Sequence, residues 1–282
     1  MARVLTLNNV NVENKTVLVR VDINSPLDPI TKQFLDDTRI RAIIPTINRL
    51  AKSKTVILAH QSRRGKNDFT STLGHSRELG RLIGRAVKWV DDIHGEKAMD
   101  AIENMNNGDI LMLNNVRYDD EENNTTGDFS TMAETKLVQR LSGIIDLYVN
   151  DAFACSHRNC PSIVGFTNTV PCVAGELMSK EINGLDRALE KPIRPCIAVV
   201  GGIKVEDSIS VADNMLRKGI ADEVWATGGV ANLLLEYSGV DIGEINHKFL
   251  VNELKDRYHY TVEIAKGILA DFGEKVHLPI DL

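Results

Sequence analysis

Five short apolar runs in the first two thirds of the chain each end in a cluster of charged or amide side chains, and this arrangement limits the fold more than any single motif. Residues 16–21 lead to Asp22 and Asn24, and residues 55–59 lead to His60 and Arg63. Residues 110–113 lead to Asn114, Asn115 and Arg117, and residues 147–149 to Asn150, Asp151, His157 and Arg158. The fifth run, 196–200, leads to Gly201, Gly202 and Lys204. Continuous apolar runs separated by helical segments are how buried parallel strands read. In open parallel sheets ligands bind beyond the carboxyl ends of the strands. Four of the clusters carry Arg, Lys or His, which points to an anionic small ligand.

The segments between the runs support this reading. Turn residues Asn24, Pro26, Asp28 and Pro29 precede residues 38–53, where Ile40, Ile43, Ile44, Ile47 and Leu50 recur at helical spacing. Pro45 inside that pattern predicts a kink or a late start. Strands are then expected at 55–60, 87–90, 109–113 and 144–150, with helices at 76–84, 96–105 and 131–142. Residues 121–128 read as an exposed loop. The class is α/β with two Rossmann-like parallel-sheet domains. The first covers 1–173, a helix over 174–190 with Leu177, Met178, Ile182, Leu185 and Leu189 joins it to the second, and the second, over 191–282, is incomplete. The junction falls at Lys191-Pro-Ile-Arg-Pro. Beyond it come strands at 196–200 and 223–226, helices at 208–218, from Gly228 through Glu236 and at 247–272, and a strand at 276–282 with no helix after it to cover the sheet.

At 282 residues, two moderate domains are the better expectation. A formal net charge of −6 argues against nucleic acid or anionic membranes as partners, since phosphate-backbone binders carry a basic surplus. No apolar stretch of about 18 residues and no charged-then-apolar leader is visible, so a cytoplasmic location without membrane contact is expected. The four cysteines, Cys155, Cys160, Cys172 and Cys196, read as reduced thiols. Cys155, His157 and Cys160 match no regular zinc spacing, and no protein metal ligand is assigned.

Each cluster has a functional and a bland reading. Arg39 and Arg41 stand in the first turn of a predicted helix, where cations oppose the macrodipole unless an anion binds; alternatively Asp36 and Asp37 neutralise them. His60, Arg63 and Arg64 suit phosphate or carboxylate contacts, or form a solvated basic loop. Arg117 and Arg158 repeat the arrangement after two further strands. Asp22 and Asn24 are acceptors among cations and suit a hydroxyl on the ligand, although Asp22 could simply pair with a neighbouring Arg. Gly201-Gly202-Ile203-Lys204 offers free amides and a lysine to phosphate oxygens, and Gly228 and Gly229 repeat the turn one strand later. It is neither Walker A nor the dinucleotide fingerprint, and helix-end glycines are the alternative.

Taken in order, Val19-Arg-Val-Asp-Ile-Asn-Ser-Pro, Asp36-Asp-Thr-Arg-Ile-Arg-Ala, Asn115-Val-Arg, Val149-Asn-Asp-Ala-Phe with Ser156-His-Arg, and Gly201-Gly-Ile-Lys-Val-Glu-Asp closely resemble phosphoglycerate kinase. Ala59-His-Gln-Ser-Arg and the Glu-Asp-Ser after Lys204 resemble its archaeal branch. The resemblance runs from about Thr16 to Leu282. It implies reversible phosphoryl transfer, in glycolysis and gluconeogenesis, between 1,3-bisphosphoglycerate and ADP, giving 3-phosphoglycerate and ATP, by a monomer. The first domain would hold the acid substrate on Asp22, Asn24, Arg39, His60, Arg63, Arg117 and Arg158. The second would hold Mg-ATP or Mg-ADP on Gly201, Gly202, Lys204, Gly228 and Gly229. Arg39 and Lys204 are the candidates for stabilising the moving phosphoryl group, and the helix over 174–190 matches the one about which the family's lobes close.

The chain departs from the family at several points. Ser208 stands where a second lysine is usual, Thr227 and Val230 replace residues of a more glycine-rich turn, and Ser25 replaces an aliphatic residue. The family continues beyond Leu282 through segments that hold the ribose and the Mg2+-binding aspartate, so a chain truncated in its second domain is expected. The alternative is an incompetent fragment that only binds 3-phosphoglycerate. A nicotinamide-dependent oxidoreductase lacks its fingerprint.

Overall fold

A computed structural model of the chain describes residues 4–190 and 192–281. Lys191, first residue of the expected junction, lies outside the described residues, as do residues 1–3 and Leu282 at the ends of the expected domains. The chain forms two compact units, one reaching Ile182 and one starting at Asn183.

The first unit is built on a six-stranded sheet in which every pairing is parallel. β1 (Thr16–Val21) lies at its centre and is fully buried beyond its first residue. The helix expected over 38–53 is two helices, α1 (Thr38–Ala42) and α2 (Ile44–Arg49). Pro45 sits in the first turn of α2, where its missing N–H costs nothing, so it starts a new helix rather than bending one. β2 (Lys54–Leu58) follows, then α3 (Leu73–Ile83), which begins three residues before the expected start and ends at Gly84 in the left-handed conformation. β3 (Lys88–Trp89), α4 (Glu96–Glu103) and β4 (Ile110–Met112) complete that side of the sheet.

Residues 121–128 are not simply an exposed loop. They open with α5 (Asp120–Asn124), whose first turn is capped by the Asp119 side chain and carries three acidic residues, and Glu122 is buried. The helix expected over 131–142 is likewise two, α6 (Phe129–Ala133) and α7 (Lys136–Ser142). β5 (Leu147–Asp151) is followed by the short α8 (Pro161–Val164), an edge strand β6 (Cys172–Ala174) that the sequence reading omitted, and α9 (Glu176–Glu190).

The strand order is β3-β4-β2-β1-β5-β6, so successive connections change direction between β1 and β5. Ligand crevices form at such a switch point. Alternate residues of the strands enter two separate cores. Val17, Val19, Val21, Ile57 and Val149 pack with Ile40, Ile47 and Leu79 on one face. Leu18, Val56, Leu58 and Leu111 pack with Ile102, Leu137 and Leu141 on the other.

The second unit has three parallel strands in the order β7 (Ile197–Val200), β8 (Glu223–Ala226) and β9 (Val276–His277). α10 (Val205–Arg217) begins immediately after Lys204, three residues earlier than expected. α11 (Gly228–Tyr237) follows β8. The long helix expected over 247–272 is again two, α12 (Gly243–Leu254) and α13 (Tyr258–Phe272), with Lys255 between them at a positive φ of 46°. Ala198, Val224 and Ala226 pack with Val205, Val230 and Ala265, whereas Ile197, Val199 and Trp225 alternate with them and stay exposed. Among the described residues, no helix is long and apolar enough to cross a membrane.

Candidate functional site

The register of β1 sets the first unit's site. Arg20 lies opposite Leu58 on one side and Asn150 on the other, so the residues just past the strands, Asp22 and His60, stand level with each other. One ligand atom each of Asp22, His60 and Cys155 fall within 4.8 Å of one another. This group does not fit Mg2+: a thiol is a poor ligand for a hard oxygen-seeking cation, and arginines crowd it.

The expected residues gather there. Burial, then Arg20, Arg117, Arg158 and Arg39 in turn, push the His60 imidazole down to about 2, so His60 is neutral at physiological pH. Burial and the neighbouring Arg158, Arg63 and Arg20 also lower the Arg117 guanidinium below its ordinary value. Glu122 offsets part of this repulsion at Arg117, and an anion bound among the arginines would offset more. Arg158 has a buried Nε without a partner, whereas Arg117 donates from Nη1 to Ser62 O at 2.5 Å. Arg63 is exposed at the rim of a cavity of about 510 Å³ that Arg20, Arg117 and Arg158 also line.

Other residues are committed within the protein. Asp22, buried, accepts from Arg39 Nη1 at 2.5 Å, so it has the arginine partner that a bland reading would give it. Arg41 pairs with Asp37, with contacts of 2.8 and 2.7 Å. The anion-at-helix-start argument for Arg39 weakens, because α1 is only five residues long and sums little dipole. Asn24 Oδ1 accepts from Ser62 N at 2.8 Å, holding a residue whose φ is 57°. Arg64, read with Arg63 as a ligand contact, instead ties two loops together through Asp120 at 2.5 Å and the carbonyls of Arg117 and Tyr118.

Arg20 escaped the sequence reading because it lies inside an apolar run. It belongs to the Leu18 face of β1, where Ser162 of α8 is one of its partners. Its Nε donates to Ser162 Oγ at 3.0 Å, Nη1 to Val21 O, and Nη2 to His60 Nδ1 at 3.1 Å. Ser162 in turn donates from its backbone N–H and hydroxyl to Glu122, at 2.9 and 2.7 Å. One signal was available: a lone arginine within a strand that is buried on both faces must meet a counter-charge somewhere.

In the second unit the two glycine turns pack directly on each other. Gly229 N donates to Gly202 O at 3.2 Å, and Gly202 and Gly228 have positive φ values of 95° and 53°. A Cβ on Gly229 would come within 2.7 Å of Val205 Cγ2, and one on Gly228 within 3.1 Å of Gly202 N. Close backbone approach therefore already demands these glycines. Lys204 precedes α10, is largely exposed, and reaches Glu253 Oε1 at 3.1 Å. Ser208, in place of a second lysine, donates to Gly201 O at 3.2 Å and closes the turn. Glu206, Asp207 and Glu253 lie beside Lys204, and Glu206 accepts from Arg257 while Glu253 accepts from Lys204.

A family model described as phosphoglycerate kinase matches residues 7–282. The phosphoglycerate kinase of Methanobacterium bryantii is 46% identical over 279 residues, covering 98% of this chain and 67% of that protein. That of Methanothermus fervidus is 43% identical, covering 100% of this chain and 68% of that protein. Among solved structures, phosphoglycerate kinase from Pyrococcus horikoshii OT3 superposes with a TM-score of 0.86 at 38% identity, over 98% of this chain and 67% of that one. The enzyme from Coxiella burnetii gives 0.74 at 29% identity, over 99% and 66%. The chain thus spans about two thirds of the length of the relatives it matches. These matches favour the kinase reading over that of a fragment that only binds.

Proposed function

The chain belongs to the phosphoglycerate kinase family, and on that premise we propose that its first unit holds 3-phosphoglycerate or 1,3-bisphosphoglycerate on Asp22, Asn24, Arg39, His60, Arg63, Arg117 and Arg158. The family's reaction is reversible phosphoryl transfer between the acyl phosphate of 1,3-bisphosphoglycerate and ADP, a step of glycolysis and gluconeogenesis. Mg2+ accompanies the nucleotide in the family. Such transfer depends on positioning and on neutralising charge more than on covalent catalysis.

One observation carries the reading of the first unit: four guanidinium groups surround a neutral, buried His60 beyond the ends of adjacent strands. Arg117, Arg158 and Arg63 supply charge to phosphate and carboxylate oxygens, and Arg158 Nε is an unused donor. Asp22 and Asn24, besides accepting from Arg39 and Ser62, offer their remaining lone pairs to the ligand's hydroxyl. In the second unit, Lys204 with the amides around Gly201, Gly202, Gly228 and Gly229 takes phosphate oxygens of ATP or ADP. Arg39 and Lys204, each within its own unit, are the candidates for neutralising charge on the phosphoryl group. The working form is a cytoplasmic monomer.

Titration calorimetry of the chain with 3-phosphoglycerate tests the first unit, with glycerate as the phosphate-free control. Binding of 3-phosphoglycerate alone, weakened by Arg158→Ala, is expected. Equal heats from both ligands, or none, would overturn the assignment. A coupled assay for 3-phosphoglycerate-dependent ATP consumption then tests turnover.

A further inference from the structure

We propose that Glu122 is a positioning residue for the acid site: acting through Ser162 and Arg20, it fixes His60 in the tautomer that presents an Nε2 proton to the anionic substrate. This rests on the reading of His60 as a substrate contact. Arg20 sets the tautomer because it can only donate, and Glu122 contributes by holding Ser162 as the acceptor that orients Arg20. Ser162 donates its backbone N–H to Glu122 Oε2 at 2.9 Å and its hydroxyl to Glu122 Oε1 at 2.7 Å. A hydroxyl has one proton, so Ser162 Oγ can only accept from Arg20 Nε, 3.0 Å away. A guanidinium has donors and no acceptor, so at the 3.1 Å contact between Arg20 Nη2 and His60 the Nδ1 atom must be the acceptor. The single ring proton of neutral His60 is then on Nε2. Which nitrogen of a histidine carries the proton is set by what the other nitrogen meets.

The buried setting makes the polarity strict. Ser162, His60, Arg20 and Glu122 are each less than a tenth exposed, so little water can substitute for a misdirected donor. Glu122 borders the arginine-lined cavity, yet both of its oxygens are taken by Ser162. A carboxylate would also repel an anionic ligand, so its contribution is made through its partners.

An isosteric change separates polarity from volume. In Glu122→Gln the new amide NH2 faces either Ser162 N–H, placing two donors together, or Ser162 Oγ, which then accepts from the amide as well as from Arg20 Nε and leaves its own buried proton without the carboxylate acceptor. Either arrangement costs the buried chain one hydrogen bond and loosens Ser162 as the acceptor that orients Arg20 against His60. Glu122 was missed in the sequence because Glu121, Glu122, Asn123 and Asn124 look like a solvated stretch.

Long-range 1H–15N correlation spectra of the full chain at neutral pH report the tautomer directly, and calorimetry reports 3-phosphoglycerate affinity. The unsubstituted chain is expected to show His60 protonated on Nε2 alone. Glu122→Gln, with its folding checked by circular dichroism, is expected to show mixed tautomers or an imidazolium, and binding at least about tenfold weaker, the scale of one hydrogen bond to a charged group. In a His60→Gln background the same change should weaken binding no further. If Glu122→Gln does not fold, Ser162→Ala carries the same expectations. An Nδ1 proton in the unsubstituted chain, or a folded variant with unaltered tautomer and affinity, overturns the proposal. If His60→Gln alone leaves 3-phosphoglycerate affinity unchanged, the reading of His60 as a substrate contact fails instead, whatever the tautomer.

Discussion

Gly201 and Thr227 approach so closely that a Cβ atom on Gly201 would overlap the Thr227 hydroxyl and come within 3.0 Å of the Thr227 carbonyl oxygen. Thr227 is itself held to Val200 O by its backbone N–H at 2.8 Å. The two glycine-containing turns of the second unit are therefore in direct contact, and the absence of a side chain at position 201 is a packing requirement before it is a binding device. Gly201→Ala should destabilise the second unit by about 1–3 kcal/mol, the usual range for overpacking. Adding Thr227→Ala removes the overlapping hydroxyl and should recover a good part of that loss. Additive effects of the two changes in urea unfolding would contradict the close contact.

His60 and His75 are both buried and uncharged, and they make the first unit acid-sensitive. Burial and nearby arginines push His60 to about 2, and burial pushes His75 to about 4, where Nε2 contacts Gln61 Oε1 at 3.0 Å. Each histidine takes up its proton near pH 6.5 when unfolded, so the unfolded state binds more protons below that pH. The stability these groups contribute is present above about pH 6.5 and is lost as pH falls, by about 1.4 kcal/mol per unit for each histidine. Urea midpoints should drop steeply from pH 6 to pH 5, above the range of ordinary carboxylates. His75→Gln should make the slope shallower, and a midpoint that stays flat over this window would show that the histidines are not held neutral.

His94 has the opposite sign. Its Nε2 meets Asp119 Oδ2 at 2.9 Å, and this hydrogen bond raises the imidazole above its ordinary value. That contribution is complete below pH 6.5 and disappears as pH rises through the raised value. His94→Gln should weaken the first unit at pH 6 and leave it nearly unchanged at pH 9. Equal loss at both pH values would indicate that packing, rather than charge, holds His94.

The strands and most helices could be read from periodicity because apolar runs and 3.6-residue spacing follow from which face is buried. The errors lie where local chemistry overrides the period. The pattern over 38–53 continues through Pro45, although the missing N–H there starts a second helix. The stretch over 247–272 stays periodic across Lys255, which adopts a positive φ. α5 has no apolar residue, and its one buried side chain, Glu122, is buried against Ser162, forty positions away. The gathering of Asp22, His60, Arg117 and Arg158 into one candidate site was legible because strand ends in a parallel sheet converge. Arg20 was not, because its partners come from elements whose placement no local pattern reveals.

Arg117 and Arg158 should differ sharply from Arg64, although all three border one cavity. Arg158 keeps an unpaired buried Nε, whereas Arg64 has its donors occupied by Asp120 and two backbone carbonyls. Arg158→Ala and Arg117→Ala should weaken 3-phosphoglycerate binding about ten- to a hundredfold, the scale of a charge-assisted hydrogen bond. Arg64→Ala should cost affinity only a few-fold, since its principal contacts lie within the protein. The residual binding of the first two variants should also depend less on salt. A loss from Arg64→Ala as large as that from Arg158→Ala would mean that Arg64 leaves its loop contacts to meet the ligand.

Lys204 is not idle, since its ammonium lies 3.1 Å from Glu253 Oε1 and the pair competes with any phosphate for the same charge. The side chain of Lys204 is 72% exposed and that of Glu253 26%, so the pair belongs to the weak, solvent-screened class worth about 0.2–1 kcal/mol. Glu253→Gln keeps the shape, removes the competing anion, and should tighten binding of ADP or ATP by up to about fivefold at low salt, fading as salt screens the charge. Lys204→Ala should abolish most nucleotide binding, and in that background Glu253→Gln should have no further effect. Calorimetry on the four chains decides the matter. If Glu253→Gln weakens nucleotide binding instead, Glu253 holds Lys204 in place for the phosphate rather than competing with it.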